Sequence, residues 1–105
     1  MGQFSVHKNT NEITKDKYPY LIDVQNQLLE SLETHLVIPL VQLSKYEKTP
    51  IKDLMPIVVI DNKQFVLLTP QMAGIHKKYL GTTIAELQKS RQEIVSAIDF
   101  LLTGF

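Results

Sequence analysis

Residues 57–68 read IVVIDNKQFVLL, and this stretch decides the class of fold. Its two ends are runs of β-branched and other apolar residues, which favour strands. Between them lies the polar run Asp61 to Gln64, which contains turn-forming residues and has the length of a hairpin loop. The stretch therefore predicts two antiparallel strands, Ile57 to Ile60 and Phe65 to Leu68, joined by a short loop.

Strand-like segments also lie on both sides of this hairpin. Gln3 to Lys8 alternates polar and apolar residues, and Tyr18 to Val24 is rich in aromatic and β-branched ones. Leu36 to Leu43 is strongly strand-like, and its Pro39 predicts a bulge or a free edge because proline cannot donate to a ladder. Gln71 to Ile75 predicts one more short strand, so the chain has about five.

Polar segments separate these strands. Asn9 to Lys17 and Ser44 to Met55 are loops by composition. Asn26 to His35 predicts an excursion with one helical turn. Its Leu28 and Leu29 fit either a small satellite core or an exposed contact pair.

The end of the chain, Arg91 to Phe105, predicts an amphipathic helix. Thr83 with Glu86, and Ser90 with Glu93, have capping-box spacing, which favours a turn near residue 83 and a main helix over residues 88–103. Its apolar residues cover about 220° of the circumference, far more than one core contact needs. They are Ile94, Val95, Ala97, Ile98, Phe100, Leu101 and Leu102. The polar remainder is a narrow wedge of Gln92, Ser96, Asp99 and Thr103. A second partner is therefore expected to cover part of the helix.

Length and composition fit a mostly β (α+β) small barrel with a terminal helix. The 105 residues suit one domain, and 44% apolar with 21% charged residues is typical of a globular protein. Eleven basic residues balance eleven acidic ones, and Arg91 is the only arginine, which weighs against nucleic acid as the main ligand. The start of the chain predicts neither export nor membrane insertion, so we expect a cytoplasmic protein.

The sequence offers little chemistry for catalysis. There is no cysteine, and His7, His35 and His76 lack metal-ligand spacing, so surface or loop positions are expected for them. A carboxylate pair could act as acid and base, with Glu30 and either Glu33 or Asp23 as candidates. Solvated positions explain these carboxylates equally well. The sequence favours an interaction protein over an enzyme and predicts no cofactor and no metal.

Several segments, taken in order and at their separations, resemble the CcdB family of toxins from toxin–antitoxin modules. They are Gln3-Phe4, Leu21 to Gln25 (LIDVQ), Leu36 to Leu40 (LVIPL), Met55-Pro56, Met72-Ala73, Glu93-Ile94, Ala97-Ile98 and Gly104 at the penultimate position. The resemblance spans nearly the whole chain.

The resemblance implies an SH3-like barrel with a C-terminal helix, paired as a homodimer through that region. It also implies a toxin that enters the cavity of the DNA gyrase A subunits, traps the complex of gyrase with cleaved DNA, and is released by a CcdA-like antitoxin. The family's target-binding positions fall on Leu28, Leu29, Gln92, Ser96, Asp99, Thr103, Gly104 and Phe105. Four of these form the polar wedge found from helical spacing, and Leu28 with Leu29 becomes a predicted contact pair.

The last three residues depart from the family pattern. The best-known members end Trp-Gly-Ile, whereas this chain ends Thr103-Gly104-Phe105. The tryptophan ring that stacks on gyrase arginines is therefore missing, and Phe105 is the aromatic residue nearest to that position. Two alternatives stay open, a MazF-like ribonuclease toxin built on the related barrel and a non-toxic adaptor barrel. A ribonuclease would need a basic groove, which a single arginine does not favour.

Overall fold

A computed structural model describes residues 2–104, which form one curled antiparallel sheet and a C-terminal helix. The strands of this described part are β1 (Ser5–Asn9), β2 (Tyr20–Asp23), β3 (Thr34–Gln42), β4 (Ile57–Ile60), β5 (Lys63–Leu67), β6 (Ala73–His76) and β7 (Leu80–Glu86). The helix is α1 (Arg91–Thr103). Short 3-10 turns occupy Gln27–Leu29, Leu43–Lys45, Thr69–Gln71, Lys77–Tyr79 and Gln88–Ser90. The predicted class, a mostly β small barrel with a terminal helix, is confirmed as a half-barrel, with seven strands in the described residues where about five were expected.

The sheet is organised around β3, its longest strand. The strand order is β4-β5-β3-β2-β1-β7. On the edge opposite β2, β3 pairs first with β6, from Thr34 to Val37, and then with β5, from Leu40 to Gln42. Two short strands thus share one long neighbour.

Pro39 lies at this change of partner. It is opposite Leu21 of β2, and its carbonyl accepts a hydrogen bond from the Leu68 backbone N–H at 2.9 Å. The N and C=O of one strand residue point to the same side, so the missing N–H also faces Leu68 rather than β2. The proline therefore costs the β2–β3 ladder no hydrogen bond. The register is regular at this point, so the predicted bulge is absent, and Pro39 instead lies where the pairing with β6 ends and the pairing with β5 has not begun.

The β4–β5 hairpin is tighter than its polar run suggested. Asp61 and Asn62 alone form the turn, with φ of 52° and 63°, the left-handed pair that a type I′ turn requires. Lys63 and Gln64 belong to β5 and are exposed. On the neighbouring edge strand β4, Ile57 and Val59 also face solvent.

The prediction of a turn near residue 83 was wrong, because Thr83 and Glu86 lie in β7. This strand pairs with β1, and its register shifts twice along their contact. Such irregularities destroy the two-residue alternation by which a strand is recognised in a sequence. Ser90 does precede α1, but its side chain makes no capping hydrogen bond.

The main core lies between the concave face of the sheet and α1. Its buried members are Phe4, Val6, Ile22, Val24, Ile38, Leu40, Val58, Ile60, Phe65, Leu67, Leu87 and Ile94. Ile94 is completely buried and Ala97 nearly so, which fixes the face of the helix that meets the sheet. A second cluster of Leu54, Met55, Val66 and Leu68 receives Phe100 from the end of the helix.

Because Ile94 is fully buried, Ile94→Ala should lower the free energy of unfolding by about 2–5 kcal/mol through lost burial and the resulting cavity. Ile13→Ala, the same change at a side chain 91% exposed, should alter it by less than about 0.5 kcal/mol. Urea unfolding followed by circular dichroism measures both. Equal effects of the two substitutions would contradict the assigned packing of α1.

Candidate functional site

The outer side of α1 is solvent-exposed along its length. All four residues of the polar wedge, Gln92, Ser96, Asp99 and Thr103, are exposed. The Thr103 hydroxyl donates to the Asp99 carbonyl at 2.7 Å, within the helix. The wedge that helical spacing predicted therefore forms one continuous polar side, open to a partner.

The apolar arc of α1 is only partly covered by the protein's own core. Ile98 and Phe100 are half-buried against the two clusters, whereas Val95, Leu101 and Leu102 are exposed. Leu102 has 71% of its surface in contact with solvent. This matches the expectation that the arc is wider than one core contact requires.

Gly104 ends the helix in a left-handed conformation. Its φ is 80°, and its N–H donates to the Phe100 carbonyl at 2.8 Å. Glycine adopts this conformation without the steric cost that a Cβ imposes, which explains its place at the end of the helix. Gly104 is exposed, and Phe105, the last predicted site residue, lies outside the described residues.

The predicted contact pair lies on the 3-10 turn between β2 and β3. Leu28 is 89% exposed and Leu29 48% exposed, so neither packs in a satellite core. The Asn26 side chain caps the turn by accepting from the Leu28 N–H at 2.8 Å. The structure thus agrees with the exposed interpretation of Leu28 and Leu29.

Gln3 connects this loop to α1, a link that sequence reasoning missed. Its amide donates to the Val24 carbonyl at the start of the loop, and its side-chain oxygen accepts from Arg91 at the start of the helix, both at 3.1 Å. The Arg91 guanidinium also lies 5.6 Å from the centre of the Phe4 ring. The only available signal was that Gln3-Phe4 is one of the segments resembling the family.

A second polar cluster holds the turn that leads into the helix. Glu86 accepts from Gln88 Nε2 at 2.9 Å and from the Ser5 hydroxyl at 2.7 Å. These two hydrogen bonds, the one from Gln88 first, lower the pKa of the Glu86 carboxyl below its ordinary value. Strand β1 and the entry to α1 are thereby joined through one carboxylate.

The expected surface positions of the histidines were wrong for two of the three. His7 and His35 are buried, and only His76 is exposed. Each buried ring has a polar partner, since His7 Nδ1 lies 3.1 Å from the Gly81 carbonyl and His35 Nδ1 lies 2.6 Å from Asp23 Oδ2. A histidine with such partners is accommodated in a core, which its spacing in the sequence cannot reveal.

The carboxylates considered as an acid–base pair do not surround a substrate-sized site. Asp23 is buried and bonded to His35, while Glu33 is exposed. The cavity that Asp23, His35 and Glu30 border has a volume of ≈ 10 Å³. A cavity of this size holds about one water molecule. Asp23 thus serves as the hydrogen-bond partner of His35.

Neither a metal-ligand cluster nor a membrane-spanning helix occurs within residues 2–104. No group of three or more His, Asp or Glu side chains in this range is arranged to hold a metal ion. Among the same residues, no helix has the length and apolar character needed to cross a membrane.

One family match extends over the loop, the sheet and the helix. The family model described as CcdB protein matches residues 3–104, nearly the entire chain. The match includes Gln3, the Leu28–Leu29 turn and the whole of α1. The chain therefore belongs to the CcdB family, the toxins of CcdA/CcdB toxin–antitoxin modules.

Proposed function

We propose that this protein binds the A subunit of DNA gyrase and traps the complex of gyrase with cleaved DNA. The observation that carries the proposal is the exposed polar side of α1. Gln92, Ser96, Asp99 and Thr103, which helical spacing and the family resemblance select separately, all lie in solvent there. Leu28 and Leu29 add an exposed apolar pair on the neighbouring loop.

Trapping of this kind requires no chemistry from the toxin. A protein that binds one conformation of an enzyme more tightly than the others raises the population of that conformation. The target supplies the cleaved DNA, and the toxin supplies only differential affinity. We therefore propose a binding protein that is not an enzyme, with its contacts on α1 and the Leu28–Leu29 turn.

The charge of the chain fits a protein partner better than direct contact with DNA. Eleven basic residues are balanced by eleven acidic ones. Affinity for duplex DNA comes largely from neutralising phosphates with lysine and arginine, and Arg91 is the single arginine. Any DNA in the trapped complex is then held by gyrase.

We further propose a cytoplasmic homodimer that a CcdA-like antitoxin neutralises, with residues 1–105 as a single toxin domain. The exposed side chains of Val95, Leu101 and Leu102 support pairing through the helix, because they extend the apolar arc beyond the protein's own core. A second copy would remove this apolar surface from water.

The proposed target is tested with purified gyrase and supercoiled DNA. Adding the toxin should increase the amount of linear DNA released when the reaction is stopped with detergent and protease, because cleaved complexes accumulate. Expression in a gyrase-sensitive bacterium should stop growth with gyrase-dependent DNA breaks. Growth arrest without such breaks, accompanied by cleavage of purified RNA at defined sites, would instead indicate the MazF-like activity.

Deleting Thr103 to Phe105 should abolish poisoning while the fold persists. Thr103 and Gly104 are exposed, and the helix meets the cores through Ile94, Ile98 and Phe100. The cleavage assay and circular dichroism read the two properties separately. Phe105→Ala, tested in parallel, distinguishes the aromatic ring from chain length. A truncated protein that still poisons gyrase would contradict the assigned role of the tail.

Leu28→Ala should weaken binding to the gyrase A subunit by at least about tenfold if this side chain enters a pocket of the partner. Ile13→Ala is the matched control, since Ile13 and Leu28 are 91% and 89% exposed on different loops. Affinity measured by surface plasmon resonance should be unchanged for the control. Equal losses, or none for Leu28→Ala, would remove the loop from the proposed interface.

A further inference from the structure

The turn that carries Leu28 and Leu29 has no buried apolar side chain. None of the residues Gln27–Leu29 is buried, and Leu32, three positions later, is 50% exposed. A surface segment without buried apolar contacts opens at little cost in free energy unless polar groups hold it. The conformation of this loop must therefore depend on hydrogen bonds.

Two side chains bind two consecutive carbonyl groups at the end of the turn. Gln25 Nε2 donates to the Leu29 carbonyl at 2.9 Å, and His35 Nε2 donates to the Glu30 carbonyl at 3.0 Å. The other end of the Gln25 amide accepts from the Leu36 N–H of β3 at 3.0 Å. Gln25 and His35 thus tie the turn to the strands on both sides of it.

His35 is itself held by Asp23. His35 Nδ1 lies 2.6 Å from Asp23 Oδ2, and both side chains are at least nine-tenths buried. The Glu30 carbonyl can only accept, so His35 Nε2 carries the hydrogen of that contact. The second carboxylate oxygen of Asp23 accepts from the Gln25 N–H at 3.0 Å. Asp23, Gln25 and His35 form one connected set, which we name the loop clamp.

We propose that the loop clamp positions Leu28 and Leu29 for binding to the gyrase A subunit, an inference that rests on the proposed function. None of the three clamp residues needs to touch the partner. They act by keeping the turn in the conformation in which Leu28 projects into solvent. This also assigns a role to Asp23 and Gln25, two residues of the LIDVQ segment.

The clamp lowers the cost of binding. A partner that binds an already ordered loop does not have to order its backbone and side chains on association. If only a fraction of molecules has the competent loop, the apparent dissociation constant increases by the inverse of that fraction. Weakening the clamp should therefore reduce affinity without changing any contact residue.

His35→Asn and His35→Gln separate the two contacts of the ring. Asparagine places its amide near the Nδ1 position, within reach of Asp23, but is too short to reach the Glu30 carbonyl. Glutamine reaches the Nε2 position and can donate to that carbonyl. Amide hydrogen exchange of Leu28, Leu29 and Glu30 should be about 2- to 10-fold faster in His35→Asn, the range expected for losing one hydrogen bond. It should largely recover in His35→Gln.

His76→Asn is the matched control, because it makes the same substitution at an exposed histidine away from the loop. Exchange in the turn should not change in this variant. Gln25→Ala provides a second test at a half-buried position, in case His35→Asn does not fold. It removes the contact with the Leu29 carbonyl and should also accelerate exchange.

Affinity for the gyrase A subunit is measured on the same variants. If one His35→Asn molecule in ten keeps the competent loop, the affinity of this variant should fall about tenfold. Unchanged exchange in both His35→Asn and Gln25→Ala would overturn the clamp, as would faster exchange with unaltered gyrase affinity. If the unmodified protein shows no affinity for gyrase while exchange accelerates in the variants, the clamp is supported and only the proposed target fails.

Discussion

The pairing of β3 with three other strands is the constraint on which the rest of the structure depends. This strand pairs with β2 along one edge and with β6 and β5 in turn along the other. Because side chains alternate between the two faces of a strand, a shift of one residue in its register would turn the core residues Ile38 and Leu40 toward the opposite face. The same shift would separate His35 from Asp23. The packing of the core and the hydrogen bonds that hold the loop between β2 and β3 therefore depend on the same register.

The elements that the sequence predicted well are those with simple periodic signals. The β4–β5 hairpin and the end of α1 at Thr103 follow from apolar runs, turn residues and helical spacing. The helix begins at Arg91 rather than at residue 88, because Gln88–Ser90 form a 3-10 turn. β7 escaped prediction because its bulged pairing with β1 breaks the alternation. The length of the β4–β5 turn was also overestimated, because Lys63 and Gln64 are polar and exposed although they already belong to β5.

The sequence predicted which residues belong to the candidate site, but not the contacts that hold them together. The exposed wedge of α1 could be deduced from the helix alone, since angular position around a helix is set by sequence spacing. The link through Gln3, Val24 and Arg91 joins residues far apart in the chain, and no local pattern predicts it. The burial of His35 could not be deduced either, since a polar residue is accepted in a core only when a partner such as Asp23 is brought beside it by the fold.

The edge strand β4 exposes apolar side chains to solvent, yet two features limit its pairing with strands of other molecules. Ile57 and Val59 are exposed on a strand whose only pairing, within residues 2–104, is with β5. An open, flat and apolar edge invites strands of other molecules. Here the edge has four residues, and Pro56 directly precedes it, so an incoming chain would find a short ladder that cannot be extended past the proline. Both features limit the pairing of other chains with β4.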